Sequence, residues 1–313
     1  ISGHTIKYVG KFHKETRHDP AAYGVDEFIS ERAYRQWRQR QGLPEIPREN
    51  GWFGELDPGI SPEQSRLAWG ADHAIRMIEE SVADNQPFFV RWDPSEPHLP
   101  CVVPEPYHSM YPPESIPPWP SFSDALEGKP YVQTLQQKRW GVAGWRWQEW
   151  APVVGRYLGQ VSLLDAQVGR LMTALERLGV ARDTMIIYTA DHGDFCGGHG
   201  MVDKHFTGYD DIMRVPLIIR HPKKLEAGGE CNHFVTHAID LATTICAAAG
   251  GCIPDSFQGQ NLVDLANERV QSPREDILSM YQGCQMGLWS LRMVRDERYK
   301  LIYHATAPSE VYD

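Results

Sequence analysis

The segment that decides the fold reads Met185-Ile-Ile-Tyr-Thr-Ala-Asp-His-Gly-Asp-Phe-Cys-Gly-Gly-His-Gly-Met-Val-Asp-Lys204. Its first four residues are apolar and rich in Ile, which predicts a strand buried in a parallel sheet. The run ends at Asp191-His192-Gly193, so two side chains able to bind a metal follow the carboxyl end of this strand. Ligands bind at that end in open α/β sheets. A second apolar run, at Val215–Ile219, predicts another buried strand.

The order of residues in this segment points to chemistry as well as to fold. Asp191 and His192 offer a carboxylate and an imidazole to one divalent cation, and Lys204 can hold an anionic group beside it. The tripeptide alone also fits an ordinary turn. The longer order adds Asp-His-Gly-Asp, Gly-Gly-His-Gly, Lys and then Arg-Val-Pro-Leu-Ile-Ile. Over this stretch the chain resembles the sulfatase family of the alkaline phosphatase superfamily.

Composition limits the classes of protein that fit. The 313 residues are 42% hydrophobic and 23% charged, which is ordinary for a globular protein. The net charge of −10 argues against a nucleic-acid partner, because phosphate backbones require a basic surface. No apolar run is long enough to predict a membrane span. The six cysteines show neither a C-x-x-C pair nor the density of a disulfide scaffold.

The resemblance and the periodicity together predict an α/β fold, with a mostly parallel central sheet flanked by helices and a small C-terminal antiparallel sheet. Helices are expected from Ser61 to about Asp84, over Val153–Leu178 and over His237–Ala249, whereas residues 19–60 are expected to be loops. The main domain would cover residues 1–270, with a Trp-rich insertion at about 101–150. A truncated antiparallel subdomain would cover 271–313, with strands at Ile277–Tyr281, Trp289–Val294 and Tyr299–Tyr303.

Two further motifs follow predicted strands. Residues 4–13 alternate polar and apolar side chains, which predicts a strand running into a turn. The phrase Tyr-Val-Gly-Lys-Phe-His, at residues 8–13, is similar to the sulfatase Gly-Lys-Trp-His motif with Phe in place of Trp. On residue pattern alone, Lys11 and His13 would form a solvated edge. The resemblance implies instead that they flank the nucleophile and the sulfate oxygens.

The second motif follows the predicted strand at residues 87–92. Here Pro97-His98-Leu99-Pro100 is similar to the sulfatase pattern Pro-His-x-Pro, in which the His binds the substrate and helps to protonate the leaving group. A loop stiffened by prolines suits this role, because a general acid must be held within hydrogen-bond reach. The alternative for His98 is an ordinary loop histidine. Later, Asp240-Leu241 through Thr244 and the tract Gly259–Leu262 also resemble sulfatase segments.

Two sulfatase elements are missing from the sequence. The family has an upstream Asp-Asp pair that binds the metal and a C-x-P-x-R or S-x-P-x-R motif, whose Cys or Ser becomes the formylglycine nucleophile. The residues before Asp191 contain neither. The chain also begins at Ile1 without Met, so we expect the native start to lie upstream. We therefore interpret the chain as a fragment of a sulfatase that is inactive alone, with formylglycine in the upstream segment.

The resemblance implies that Asp191 and His192, with the upstream carboxylates, bind one divalent cation. Calcium is the expected ion. Many sulfatases have Asn at the position of His192, and because imidazole is a softer ligand, manganese and zinc remain open.

The remaining site residues are also assigned by resemblance. Lys204 and Lys11 would bind the non-bridging oxygens of the ester, where charge is stabilised as attack proceeds. His13 would support the nucleophile and its release. His98 would protonate the departing alcohol and contact the substrate, and His199 would line the substrate pocket. The substrate would be a sulfated small molecule or glycan, and a periplasmic or secreted location is expected from the family.

Alternatives stay open at the level of sequence. One is a phosphodiesterase or phosphonate monoester hydrolase of the same superfamily, and another is a non-catalytic relative that binds sulfated glycans. The four tryptophans between residues 140 and 150 fit either an aromatic wall for a sugar or, more simply, packing of an insertion. The sequence carries no signal for oligomeric state.

Overall fold

The structure is a computed structural model that describes residues 3–12, 17–204, 206–283 and 287–313, with only the backbone of Ala238. These residues divide into two compact units. The first unit comprises Gly3–Pro117 with Trp147–Ala181, and the second comprises Pro118–Arg146 with Arg182–Asp313. The domain boundary predicted after residue 270 stays a prediction.

A parallel sheet organises the first unit. Its strands are β1 (Thr5–Gly10), β2 (Glu27–Ser30) and β3 (Phe88–Asp93), in the order β2-β1-β3 and all parallel. The predictions of β1 and β3 are confirmed. The loop predicted for residues 19–60 is wrong in part, because it contains β2 and the helix α1 (Ala33–Arg40). Both elements are short, and α1 is mostly polar, so neither produces a clear apolar period.

Helix α2 (Arg66–Ala83) packs on this sheet. The start predicted at Ser61 is wrong by a few residues, since Pro62–Gln64 form a separate 3-10 turn. Ser65 is the N-cap, and its hydroxyl oxygen accepts a hydrogen bond from the Ala68 amide at 3.1 Å. The core between sheet and helices is formed by the buried residues Val9, Tyr34, Trp69, Ala74 and Met77.

The next two helices are α3 (Tyr131–Trp140), in the second unit, and α4 (Trp147–Arg177), in the first. α4 starts before the predicted Val153 and packs along α2. Trp147 and Trp150 lie on α4. The Trp147 indole donates to the Ile116 carbonyl at 2.7 Å and Trp150 is fully buried. For these two tryptophans the packing interpretation holds.

The second unit begins its regular structure with β4 (Ile186–Thr189), α5 (Asp210–Met213) and β5 (Leu217–Arg220). Both apolar runs are strands, as predicted, but they pair with each other in antiparallel register. Ile218 on β5 is 63% exposed, and every residue of β4 is only half-buried, so the expectation of full burial was also wrong for both strands as the structure describes them. A four-residue apolar run identifies a strand without specifying its direction or its neighbours.

Two helices and a four-stranded antiparallel sheet complete this unit. They are α6 (His237–Ala248), α7 (Leu262–Ala266), β6 (Ile277–Gly283), β7 (Trp289–Arg295), β8 (Lys300–His304) and β9 (Glu310–Tyr312). The predicted helix and all three predicted strands are confirmed, and β9 is additional. One face of the sheet packs on Phe206, through Trp289, Leu291, Met293 and Ile302. The alternation of buried and exposed residues along β7 is typical of a sheet covered on one face.

These elements confirm the predicted fold class, in which a parallel sheet with helices is accompanied by a small antiparallel C-terminal sheet. In the described part of the chain, no helix has both the length and the hydrophobicity needed to cross a membrane.

Glu310 on β9 ties the C-terminal sheet to the segment before α3. Its carboxylate accepts hydrogen bonds from His304 Nε2 at 2.8 Å and from the Tyr312 hydroxyl at 2.6 Å, and it lies 3.3 Å from Lys129 Nζ. Burial raises the pKa of Glu310, but these partners outweigh burial and lower the pKa from 4.5 to about 2.

The depressed pKa of Glu310 predicts a pH-dependent stability. The stabilisation is complete above about pH 4.5 and is lost as the pH falls towards 2. Its full value is on the order of 3 kcal/mol. Urea unfolding between pH 2 and pH 6 should show that Glu310→Gln removes this part of the slope. Glu297→Gln, in the exposed turn after β7, is the control and should keep the slope. Equal slopes in both variants would contradict the prediction.

Candidate active site

The loop after β4 carries the predicted metal ligands. His192 Nδ1 lies 2.8 Å from the Gly193 carbonyl oxygen, so the neutral tautomer that satisfies this contact has the proton on Nδ1 and the lone pair on Nε2. Nε2 lies 3.6 Å from Asp191 Oδ2. The Asp191 side chain is 84% exposed, and its Oδ1 accepts the His192 amide at 3.0 Å. A carboxylate oxygen and an imidazole nitrogen thus lie close to each other.

Gly193 is required by a close backbone approach. Its amide donates to the Ile212 carbonyl at 2.9 Å. A Cβ atom at this position would lie 1.8 Å from the Asp211 carbonyl oxygen, far inside van der Waals contact. Any other residue would push the Asp191-His192 pair away from the segment before β5.

Asp194 joins two parts of the loop after β4 through hydrogen bonds. Its Oδ1 accepts the Cys196 amide at 2.8 Å and the Asp203 amide at 3.2 Å. Its Oδ2 is buried without a hydrogen-bond partner among the described residues. Burial raises the pKa of Asp194 to about 6, although the two amide hydrogen bonds act in the opposite direction. Asp194 therefore fixes the backbone immediately before Lys204.

Lys204 is held through both its side chain and its backbone. Its Nζ lies 2.9 Å from Asp203 Oδ1, and its side chain is 19% exposed. The Gln136 amide group on α3 donates to the carbonyl oxygens of Val202 and Lys204, both at 2.9 Å. The ammonium group is therefore placed by its own loop and by α3.

His199 lies in a network of carboxylates. Its Nδ1 is 2.8 Å from Asp124 Oδ2, and its Nε2 is 3.6 Å from Asp211 Oδ2, an ion-pair distance rather than a hydrogen bond. Its ring stacks on Tyr209 at 3.8 Å between centroids. Burial lowers the pKa of His199, but the two carboxylates outweigh burial and raise it. The geometry thus shows His199 joining three segments of the second unit, and its role in a substrate pocket stays a prediction.

In the first unit, Lys11 directly follows the carboxyl end of β1. Its amide donates to the Asp93 carbonyl at 2.8 Å, and the Tyr8 hydroxyl donates to the Lys11 carbonyl. At Gly10, where φ is +135°, a Cβ atom would lie 2.1 Å from the Asp93 oxygen. The Gly-Lys order therefore lets β1 end tightly against β3.

His98 lies on the loop after β3, the strand paired with β1. Its amide donates to the Ser95 carbonyl at 3.0 Å, and its Nδ1 lies 2.8 Å from the Leu99 carbonyl oxygen. Glu96 in the same loop forms an ion pair with Arg66 at 2.9 Å. The ring is half-buried and oriented by its own loop, as a general acid requires.

The structure brings the predicted residues together in two groups. Asp191, His192 and Lys204 share one loop of the second unit. Lys11 and the loop of His98 follow adjacent parallel strands of the first unit. His13 lies outside the described residues. Within the described ranges no group of three or more His, Cys, Asp or Glu side chains could hold a metal.

Three residues that contact the candidate residues or lie near them were not identified from sequence. Asp194 stands within the Asp-His-Gly-Asp motif, so its position was a usable signal. Gln136 lies on α3, a helix that was not predicted. His237, at the start of α6, is near enough to Asp191 for their charges to interact; burial lowers the pKa of His237 and Asp191 opposes this. Nothing in the local sequence of His237 indicates that proximity.

Comparisons with known proteins place the chain in a family. The family model described as Sulfatase matches residues 2–251. The model described as N-sulphoglucosamine sulphohydrolase, C-terminal, matches residues 197–313.

Individual relatives agree with these matches. The chain is 33% identical over 151 residues to the N-acetylglucosamine-6-O-sulfatase of Bacteroides thetaiotaomicron, covering 46% of this chain and 26% of that protein. It is 26% identical over 323 residues to the multifunctional alkaline phosphatase superfamily protein PehA of Trinickia caryophylli, covering 90% of this chain and 61% of that protein. The chain thus spans from about a quarter to about three fifths of the length of these two relatives.

Similarity of fold extends over nearly the whole chain. The crystal structure of the phosphonate monoester hydrolase of Agrobacterium radiobacter superposes with a TM-score of 0.77 and 24% identity, covering 99% of this chain and 71% of that one. This likeness confirms the alkaline phosphatase and sulfatase type of fold. With a family model matching most of its length, the chain belongs to the sulfatase family.

Proposed function

We propose that this chain is part of a sulfuric ester hydrolase that cleaves a sulfate ester of a carbohydrate. The observation that carries the proposal is the loop after β4, where Asp191 Oδ2 and His192 Nε2 lie 3.6 Å apart and Lys204 follows on the same loop. Membership of the sulfatase family supports this assignment. Such a set of side chains could hold a cation next to a bound anion.

The donor set fits a divalent cation in part. The Asp191 carboxylate is exposed, and the hydrogen bond from His192 Nδ1 leaves Nε2 to act as a ligand, which is the arrangement found in metal-bound histidines. Two side chains do not complete a coordination shell, so the other ligands would come from residues outside those described. We propose calcium as the ion, with manganese or zinc as alternatives because an imidazole takes part. A bound cation would supply charge stabilisation to the ester oxygens.

The residues of this chain would bind the sulfate group and protonate the leaving oxygen. Lys204 and Lys11 would hold non-bridging sulfate oxygens, where negative charge is stabilised as the ester bond breaks. His98, whose Nδ1–H is donated to the Leu99 carbonyl, would donate the Nε2 proton of its doubly protonated ring to the leaving oxygen and would remain as the neutral imidazole. His13 would assist the nucleophile, which we propose is a formylglycine in an upstream segment of the protein.

A sulfated sugar is the substrate class we favour. The relative that is 33% identical is named an N-acetylglucosamine-6-O-sulfatase. A phosphonate monoester hydrolase or phosphodiesterase is the second candidate. It is favoured by the match of 90% of this chain to PehA, named as a multifunctional member of the alkaline phosphatase superfamily. Both candidates would use the same Asp191, His192 and Lys204.

The test combines mass spectrometry with parallel assays. Peptide mapping of the native protein should find a sequence upstream of Ile1 that contains a C/S-x-P-x-R motif with an aldehyde residue. The same protein should hydrolyse an aryl sulfate with a higher kcat/KM than an aryl phosphonate monoester. The reverse order of kcat/KM would favour the phosphonate hydrolase. An unmodified protein without either activity would refute both candidates and favour a binding role.

A further inference from the structure

The second unit contains a cavity that includes none of the predicted site residues. It has a volume of about 300 Å³ and lies among the end of β5, the turn that follows it, the C-terminal half of α6 and the α7 region. This volume is at the lower end of the range for small-molecule sites. The residues that decide its chemistry are His221, Lys223, Lys224, Asp264 and Arg269.

The charge of this cavity is opposite to that of the chain. Three cationic side chains line it, and Asp264 is the acidic side chain among the described lining residues. The Asp264 carboxylate already accepts a hydrogen bond from Asn261 Nδ2 at 2.7 Å, and it lies 3.9 Å from the Arg269 guanidinium. Positive charge therefore accumulates locally on a chain whose net charge is −10.

The two lysines differ in their partners. Lys223 forms an ion pair with Asp183, an exposed carboxylate outside the cavity lining. Lys224 makes no ion pair with any residue that the structure describes. The Arg269 side chain is 69% exposed and its distance to Asp264 is too long for a hydrogen bond. Lys224 and Arg269 thus keep their donors available to a ligand.

His221 adds a neutral donor. Burial, followed by the charges of Lys224 and Lys223, lowers the pKa of His221 and so favours the uncharged ring. Its Nδ1 is buried without a hydrogen-bond partner among the described residues. A neutral imidazole can carry its proton on either nitrogen. The ring can therefore adapt its tautomer and offer an N–H to an anion.

We propose that this cavity is an accessory site for a sulfate or phosphate group, carried by a ligand no larger than about one sugar ring. Lys224 would supply a point charge, and the planar guanidinium of Arg269 would bind two oxygens of the anion. The volume exceeds what a lone tetrahedral anion needs, which favours an ester of a small sugar over the inorganic ion. This site does not depend on the proposed activity, because it shares no residue with the loop after β4.

Direct binding measurements test this site. Inorganic sulfate, glucosamine 6-sulfate and unsulfated glucosamine would each be titrated into the protein and followed by calorimetry at low salt. The double variant Lys224→Gln/Arg269→Gln is expected to weaken binding of the sulfated probes at least tenfold, while unsulfated glucosamine binds to neither protein. The matched control Lys138→Gln removes an exposed charge on α3 and should leave binding unchanged.

A third variant separates this cavity from the proposed active site. Binding to the cavity should persist in Lys204→Gln, which alters the loop after β4. Glucosamine 6-sulfate binding at least tenfold tighter than sulfate would identify a sulfated-sugar site, and equal affinities would identify a site for the inorganic anion. Affinities that are unchanged in the double variant, or equally reduced in Lys138→Gln, would overturn the proposal. Thermal unfolding of each variant confirms that a loss of binding is not a loss of fold.

Discussion

Replacing Asp191 by alanine, in the protein with its native upstream sequence, is expected to lower kcat/KM for a sulfate ester by about a thousandfold. This corresponds to roughly 4 kcal/mol of lost transition-state stabilisation. The reason is that the variant removes one carboxylate of the proposed cation site. Steady-state kinetics, with the metal content of the purified protein measured in parallel, would show both losses together.

The same substitution should barely affect folding. The Asp191 side chain is 84% exposed, so its removal creates neither a cavity nor a buried unpaired group, and the thermal midpoint should stay within the range of a surface change. Asp255→Ala, in the exposed loop after α6, is the matched control and should retain activity and metal. An Asp191→Ala protein with full metal content and full turnover would refute the assignment.

Replacing Asp240 by alanine is expected to have the largest effect on stability, a loss of about 3–5 kcal/mol. Asp240 is fully buried. Its carboxylate accepts the amides of Thr236 at 2.7 Å and Gln260 at 2.8 Å, and it forms a bidentate pair with Arg274 at 2.9 and 3.0 Å. Alanine would leave two amides unpaired and a half-buried guanidinium without its counter-ion.

Urea unfolding of the chain measures this effect. Asp276 is a matched control, because its charge also acts on Arg274 but its side chain is exposed. Asp276→Ala should change the free energy of unfolding by no more than about 0.5 kcal/mol. If Asp240→Ala unfolds with the same midpoint as Asp276→Ala, the carboxylate does not join these segments in the way described.

The Asp240 contacts explain why two separate segments of the sequence both resemble sulfatase segments. The segments at Asp240–Thr244 and Gly259–Leu262 were recognised as similar to sulfatase tracts. In the structure, Asp240 accepts the Gln260 amide, and the Thr244 hydroxyl oxygen accepts the Leu262 amide at 2.9 Å. The two segments are therefore hydrogen-bonded to each other. A resemblance locates such residues, but only coordinates show which atoms they bind.

The local sequence predicted those helices and strands whose apolar residues recur at a regular spacing or whose end is marked by a capping residue. The long helix α4, closed by Gly179 with φ of +74°, and the alternating strands β7 and β8 are of this kind. Elements with polar or short sequences were missed, as in α1, β2 and α3. The antiparallel pairing of β4 with β5 was missed because strand direction depends on contacts distant in sequence.

The part of the candidate site that could be predicted consists of residues with suitable side chains that closely follow a predicted strand. Asp191, His192 and Lys204 stand out as ligand-type residues after a strand, and the structure places them on one loop. The supporting contacts were not predictable, since Gln136 reaches Lys204 from a helix far away in the chain. His199 illustrates the same limit, because its carboxylate partners Asp124 and Asp211 come from separate segments.

The hydrogen bonds in the loop after β4 bear on the thermodynamics of the proposed cation binding. The hydrogen bonds of Asp194 and the bond from the Gly193 amide to the Ile212 carbonyl fix the loop backbone between residues 193 and 212. The His192 ring is held by the Gly193 carbonyl, so it would lose little conformational entropy on binding the proposed cation, whereas the Asp191 side chain, 84% exposed, would still have to be ordered. Loading of the proposed metal would then order one exposed carboxylate on an already folded loop, without metal-induced folding. Affinity would be governed by the ligands that complete the shell.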